Sequence, residues 1–527
     1  MKGDVVTSAD LVLTGGNVLT MNSSQPCAEA VAVKGARIVK VGTNEEVRQL
    51  VGETTKVIQL NGKTVVPGFI DTHIHVADFG RLLNWIDVSD TGSITEMQKR
   101  LSTRVEQSPK GKWLLGRGLD PTRFAEKRFP TRFDLDRVSP GNPVVFYHQS
   151  GQVCVVNSKA LESAGVTPLT PVPEGGAIDR DAETGEFTGV LRDTATNLIW
   201  NAIPEPSEDE LVEAACLACE KIVEAGVTSV HWMVLAPIEL SIIQKLHTQN
   251  RLPLRVYVVV PANILDKMKN FQPTGGSELT VGGAVISADG YLAAKTAALF
   301  QPYTDGSANG KLLCTQEEIT TTAAKILKMG LQLVIHAMGD KAVDAALTAI
   351  EQVSKETPRK DARNRIEQAA VLNQGLIKRI KQAGVIVSVQ PLVVASEFSV
   401  WSATEKLGAE RARWLYPLKT LLKKGIRVIG GSDCPMEPLS PLMGIQVAVA
   451  REAFPEEQVT VDEALRMYTV DAAYSSNEEN IKGSIETGKL ADLTVLSDNP
   501  KNVSPKEIKG ITVEMTLVGG RIVYPKP

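Results

Sequence analysis

The chain has 527 residues, more than the ~250–300 at which a single hydrophobic core stops growing, so a large domain with an accessory domain is expected and a small stapled scaffold is excluded. It is 43% hydrophobic and 22% charged with a mean hydropathy of -0.04, too apolar for disorder and too polar for a membrane protein. A net charge of -4 without a long like-charge run offers no electrostatic hold to nucleic acid or an anionic membrane, which leaves small molecules as the expected partners.

At the N-terminus, Asp4 and Asp10 interrupt any apolar signal-peptide core, and no 18-residue apolar span follows, so a cytoplasmic location is expected. The segments LVLTGGNVLTM, AVAVKGARIVKVG and TKVIQLNGKTVV are β-branched runs split by Gly-containing turns, the pattern of hairpins in a small antiparallel sheet. The C-terminal GSIETGKLADLTVLSD and ITVEMTLVGGRIVYPKP repeat that pattern. Both ends are therefore expected to build one β-sandwich from residues 1–66 and 480–527.

Residues 67–479 read differently. VVPGFIDTHIH, from Val65, is the entry strand. A stretch of about 150 residues then exceeds any ordinary βα loop and contains strands of its own, such as KWLLGRGLD and PVVFYHQSGQVCVVNS, so an inserted subdomain capping the mouth is expected at about 80–205. From Ser207 onward the order is helix, glycine, strand. Ser207 with Glu210 and Thr315 with Glu318 form capping boxes, and Gly226, Gly330, Gly384 and Gly425 precede VTSVHWM, LQLVIHA, VIVSVQP and IRVIGGSD. LRVYVVV, GGAVISADG and NRIEQAA complete eight strands, the prescription for an α/β protein with a (β/α)8 TIM-type barrel. The six cysteines are too scattered for a disulfide framework, and Cys216 with Cys219 fits an amphipathic helix better than a metal or redox motif.

The residues able to carry chemistry fall at strand ends. His73 and His75 close the first strand, and residues two apart point to the same side, so both imidazoles can reach one ion at Zn–N of ~2.0–2.1 Å. His336 closes the fifth strand and Asp433 the eighth, at the rim where active sites of such barrels collect. An ionised Asp at the end of an apolar run is costly to bury unless a cation meets it. Its alternative role is to cap a following helix, which CPMEPLSPL delays. His231 ends the second strand and Asp289 the fourth. Substrate contact competes with a core role for the first, and ligand orientation or substrate binding with helix capping for the second. His148 and Gln152, in the insertion, are candidates for a lid facing the substrate. Lys295 and His247 read as solvated side chains.

Taken together, VPGFIDTHIH, SGQVCVVNSKAL, IHAMGDKAV, RIEQA, GGSDCPMEPLSPL and GKLADLTVL resemble the amidohydrolase superfamily, in the branch that includes N-substituted formamide deformylase, over nearly the whole chain. That resemblance implies His73, His75, His336 and Asp433 as metal ligands, Asp433 also as general base, and a homodimer. Three positions depart from it. Val285 stands where many relatives carry a bridging Lys, Gln368 where many have a strand-ending His, and Gln152 where SGH is usual. Two divalent ions ~3.5 Å apart repel by about 19 kcal/mol at an effective dielectric of 20, so losing a bridging group and a ligand implies one divalent ion, with zinc expected. Gln368 then serves to position substrate.

The function read from these residues is metal-dependent hydrolysis of a non-peptide C–N bond in an amide, formamide, carbamate or cyclic amide. Deamination of an amidine-like or aromatic substrate is the alternative from the same chemistry, and a non-catalytic assembly protein on a retired hydrolase scaffold is the alternative from another class.

Overall fold

The eight strand segments form one parallel sheet in the computed structural model, which describes residues 8–268 and 276–526. In chain order they are β1 (Phe69–Ile74), β2 (Val227–Met233), β3 (Arg255–Pro261), β4 (Leu279–Ser287), β5 (Gln332–Ala337), β6 (Arg365–Gln368), β7 (Ile386–Val389) and β8 (Val428–Gly430). Each pairs with its neighbour in sequence, always in parallel. The seam between β8 and β1 is held by Thr72 Oγ1 donating to the Gly430 carbonyl at 3.0 Å and by the Asp433 and His75 N–H groups donating to the carbonyls of His73 and Cys434 at 2.8 and 2.9 Å. The (β/α)8 barrel expected from the sequence is therefore the fold.

Local sequence explains the junctions. The helix Glu208–Glu224 begins where Glu210 N–H donates to Ser207 Oγ and Ser207 N–H to the Glu210 carboxylate, and Thr315 with Glu318 does the same for Gln316–Lys328. Gly226 sits at φ +81°, a conformation that turns the chain directly into β2, and a Cβ there would meet Thr494 Cγ2 at 2.7 Å. Cys219 is buried within its helix, and none of the six cysteines is in a disulfide. No helix among the described residues is long and apolar enough to cross a membrane. Asp4 lies outside the described residues.

Two expectations are corrected. VVPGFIDTHIH is not one strand. Thr64–Pro67 belongs to an end sheet and β1 starts at Phe69, because the chain must change sheets at Gly68, whose Cβ would lie 2.2 Å from Thr228. The N-terminal runs are also not a simple antiparallel meander. The turn at Gly15, φ +74°, sends Leu11–Thr14 and Asn17–Leu19 into different sheets, where they pair in parallel with Lys56–Gln59 and Thr64–Pro67 respectively. Four strands from the N-terminal end form one sheet, and Leu493–Leu496, Val513–Val518 and Arg521–Tyr524 join the other. Leu11, Leu13, Val31, Val65, Leu493, Val495 and Leu517 pack in one apolar core between them.

Residues 80–215 are a compact unit of their own around a six-stranded mixed sheet. Strand alternation feeds two cores there: Val144 and Phe146 enter one, Val145 and Tyr147 the other.

Candidate metal centre

β1 presents Asp71 and His73, His75 follows directly after its last residue, and the seam hydrogen bonds fix Asp433 beside them. Asp433 has φ +59°, in the left-handed region, so its side chain leaves the strand direction at the rim. It caps no helix, since the next one, Pro441–Val449, takes Ser440 as its N-cap. Asp433 Oδ1 lies 3.5 Å from His73 Nε2 and 3.4 Å from His75 Nε2. Two ligands at ~2.1 Å from a tetrahedral ion are about 3.4 Å apart, so this spacing fits a shared ion. His73, His75 and Asp433 form a group that can hold a metal ion.

The imidazoles are oriented for ligation. His73 Nδ1 lies 2.8 Å from Glu367 Oε2, and His75 Nδ1 lies 3.2 Å from the Met233 carbonyl. A carbonyl or a carboxylate accepts only an N–H, so each ring carries its proton on Nδ1 and leaves the Nε2 lone pair toward Asp433. Burial disfavours a charged His73, but the Glu367 carboxylate outweighs it and raises the imidazole pKa. For Glu367, full burial works against ionisation, and Arg365 and His73 overcome it to hold the carboxyl well below its ordinary range.

Arg365 and Glu367 are functional positions that reading the sequence missed. Two ionisable residues two apart in the four-residue strand RIEQ both face inward and must be paired when buried, a signal that the alternation carries. Arg365 is fully buried, donates to Glu367 Oε1 and to the Thr72 carbonyl, and lies 2.7 Å from His231 Nδ1. Asp71 was missed as well. Its Oδ1 accepts the N–H groups of His73 and Ser432 at 3.1 and 2.9 Å, and burial pushes its pKa up to about 6.

The remaining candidates separate. His336 does not join the group formed by the other three. Burial lowers its pKa to about 4, and its buried Nε2 has no hydrogen-bond partner. His231 is fully buried beside Arg365 and Tyr257, with ring centroids 4.7 Å apart for the latter, so in this structure it is an interior side chain without a solvent face. The Asp289 carboxylate accepts three backbone N–H groups, from Ala298, Met338 and Gly339 at 2.8 to 2.9 Å, which ties the loops after β4 and β5 together. Gln368, at φ +69°, accepts the Tyr416 hydroxyl on Oε1 at 2.7 Å. Val285 packs with Met233, Tyr257, Val259 and Val334 and offers no ligand atom. Lys295 pairs with Asp305 at the surface. His148 and Gln152 lie in the 80–215 unit, where His148 Nδ1 is 2.8 Å from Ser150 Oγ.

Known proteins share this arrangement of strands and sequence. The sequence profile of the amidohydrolase family matches residues 56–524. The putative amidohydrolase YtcJ of Bacillus subtilis (strain 168) is 33% identical over 528 residues, covering 97% of this chain and 99% of that protein. N-substituted formamide deformylase of Arthrobacter pascens is 30% identical over 541 residues, 98% of each. An uncharacterized metal-dependent hydrolase from Pyrococcus furiosus superposes with a TM-score of 0.77 at 29% identity, over 93% of this chain and 100% of that one. This chain belongs to the amidohydrolase family and is a metal-dependent hydrolase.

Proposed function

We propose that the protein hydrolyses a non-peptide C–N bond of a small molecule, in an amide, formamide, carbamate or cyclic amide, using one divalent ion, zinc. His73, His75 and Asp433 would hold it, and His336, outside that group in this structure, would join as the fourth ligand only by moving toward the ion. The 3.4 and 3.5 Å separations of two imidazole Nε2 atoms from one carboxylate oxygen carry this reading. The orphaned Nε2 of His336 supports the fourth place, and Val285 and Gln368 support a single ion because neither supplies a bridge. A bound zinc ion supplies Lewis acidity, lowering the pKa of water toward ~7 and polarising a carbonyl.

The protein groups have separate tasks in this reaction. Asp433 accepts the proton of the attacking water and returns it to the departing nitrogen, a role that needs a carboxylate rather than an amide. Glu367 keeps the His73 proton on Nδ1, and Arg365 keeps Glu367 ionised. Gln368, fixed by Tyr416, places an amide near the substrate but moves no proton.

Protein purified without chelator should contain about one zinc per chain, lost together with turnover in His73→Ala. Asp433→Asn should lower kcat by about 10²-fold or more while the protein stays folded. A substrate panel read for free amine and for ammonia separates amide hydrolysis from deamination. Folded wild-type protein that takes up no metal at all rejects the reading.

A further inference from the structure

The loops that leave the C-terminal ends of the barrel strands expose large apolar side chains around the candidate metal centre. Tyr291 and Leu313, in the segment after β4, are 56% and 58% exposed, Leu235 after β2 is 56% exposed, and Met436 after β8 is 72% exposed. Short links join each of them to a candidate ligand. The Tyr291 ring lies 5.4 Å, centroid to centroid, from that of His336. Met436 N–H donates to the Asp433 carbonyl at 2.8 Å, and Leu313 N–H donates at 2.8 Å to the carbonyl of Ala288, whose own N–H donates to the His336 carbonyl at 2.9 Å. Leu235 stands two residues past Met233, whose carbonyl meets His75 Nδ1 at 3.2 Å.

Strand order sets these side chains on both sides of the barrel opening. β8, β1 and β2 are consecutive, so the loops of Met436 and Leu235 flank His75, while the adjacent strands β4 and β5 bring Tyr291 and Leu313 beside His336. The loop of Tyr291 is fixed: its N–H donates to Thr296 Oγ1 at 2.9 Å, its carbonyl accepts the N–H groups of Thr296 and Ala297 at 2.9 and 3.2 Å, and a Cβ at Gly290 would lie 2.2 Å from Thr296 Oγ1. An ordered backbone thus holds an apolar ring in water. Each Å² of apolar surface left there forgoes about 25 cal/mol of burial, and several such side chains around a few polar ligands are the lining of a small-molecule site. In the loop after β4, Lys295 is paired with Asp305, and the exposed Lys311, two residues before Leu313, supplies the competing reading, recognition of a carboxylate. Among the described residues no hydrogen bond or ion pair joins Lys311 to the centre, whereas the apolar side chains have the links given above.

We infer that Tyr291, Met436, Leu235 and Leu313 bind an uncharged apolar substituent of the substrate next to the bond cleaved, so that the enzyme distinguishes its substrates by the aryl or alkyl surface they carry. The inference rests on the hydrolysis of a C–N bond proposed above, and its test uses ketones, which have no C–N bond to cleave, to separate the two.

Binding of benzylacetone, butanone and levulinate to the zinc-loaded protein is measured first, by titration calorimetry. Benzylacetone should bind at least about 10-fold more tightly than either of the others. In the double variant Tyr291→Ser, Met436→Ser that ratio should fall below about 3-fold. Zinc content and Tm should not change, because both side chains are exposed, and Tyr291→Phe, which keeps the ring, should retain the preference. In kinetics, kcat/KM across amides that turn over should rise with the apolar area of the substituent in wild type and lose that slope in the double variant. If no amide is cleaved but benzylacetone binds through Tyr291 and Met436, the choice of scissile bond is wrong and the apolar site stands. Equal affinities of wild type for the three ketones, or a preference that survives in the double variant, overturn the apolar site. Preferred binding of levulinate that is lost in Lys311→Met overturns it as well and assigns recognition to that ammonium.

Discussion

Glu367 and Glu397 show how neighbours decide what a buried carboxyl does. Glu367 meets Arg365 and His73 and stays ionised, so its contribution is to hold a ligand ring. Glu367→Gln should weaken zinc affinity about 10–100-fold, read by competition with a chromophoric chelator, because the amide no longer fixes the His73 proton. Thermal stability should fall too, since Arg365 is left buried without its counter-charge. Glu397 has no ion-pair partner among the described residues, and burial, opposed only by the charge of Lys406, raises its pKa from 4.5 to about 7. The folded protein therefore keeps a proton that the unfolded chain releases, so stability present below the unfolded pKa is lost as pH rises through about 7. Lys406, Tyr303 and Tyr416 are the titratable groups that bear on it. Urea unfolding of wild type and Glu397→Gln at pH 4.5 and pH 8 should show the variant free of this loss, a difference of about 3 kcal/mol at full effect.

At the scale of elements, the barrel rim is assembled by side chains that satisfy loop backbones. Asp289 accepts the N–H groups of Ala298, Met338 and Gly339 and so joins the loops after β4 and β5. Asp289→Ala should cost about 3 kcal/mol in denaturant unfolding, because three buried donors lose an ionised acceptor, and Asp289→Asn should cost less. The strands themselves were legible because parallel barrel strands are short apolar runs bounded by glycine and capping boxes, as around Gly226 and Thr315. The division of VVPGFIDTHIH between two sheets was not. Periodicity continues across Gly68, and the break is set by distant pairing, of Thr64–Pro67 with Asn17–Leu19 and Leu493–Leu496 and of β1 with β2. In RIEQ the inward alternation and the Arg365–Glu367 pair were legible, but their contacts with His73 and His231 join strands far away in sequence.

At the scale of the whole molecule, the barrel is tied to the sheets built from the chain ends. Arg255, at the start of β3, pairs with Asp492 through contacts of 2.6 and 2.9 Å, and Asp492 also accepts the Gly519 N–H at 2.7 Å. Both charged side chains are buried, so Asp492→Ala should lose about 3–5 kcal/mol in chemical denaturation by leaving Arg255 unpaired. Thr494 and Thr516 hydroxyls add donors to the carbonyls of Gly226 and Val223. The amino-acid sequence by itself determined the barrel strands, the barrel and the meeting of both chain ends, and it singled out His73, His75 and Asp433 as candidates. Each of these follows from local periodicity, turn chemistry or position at a strand end. Tertiary structure alone decided which Nε2 atoms face Asp433, that His336 stands apart from that group, and which buried carboxyl is paired and which is not. Those outcomes depend on contacts between strands separated by up to hundreds of residues, where burial and charge act through space and leave no local pattern to read.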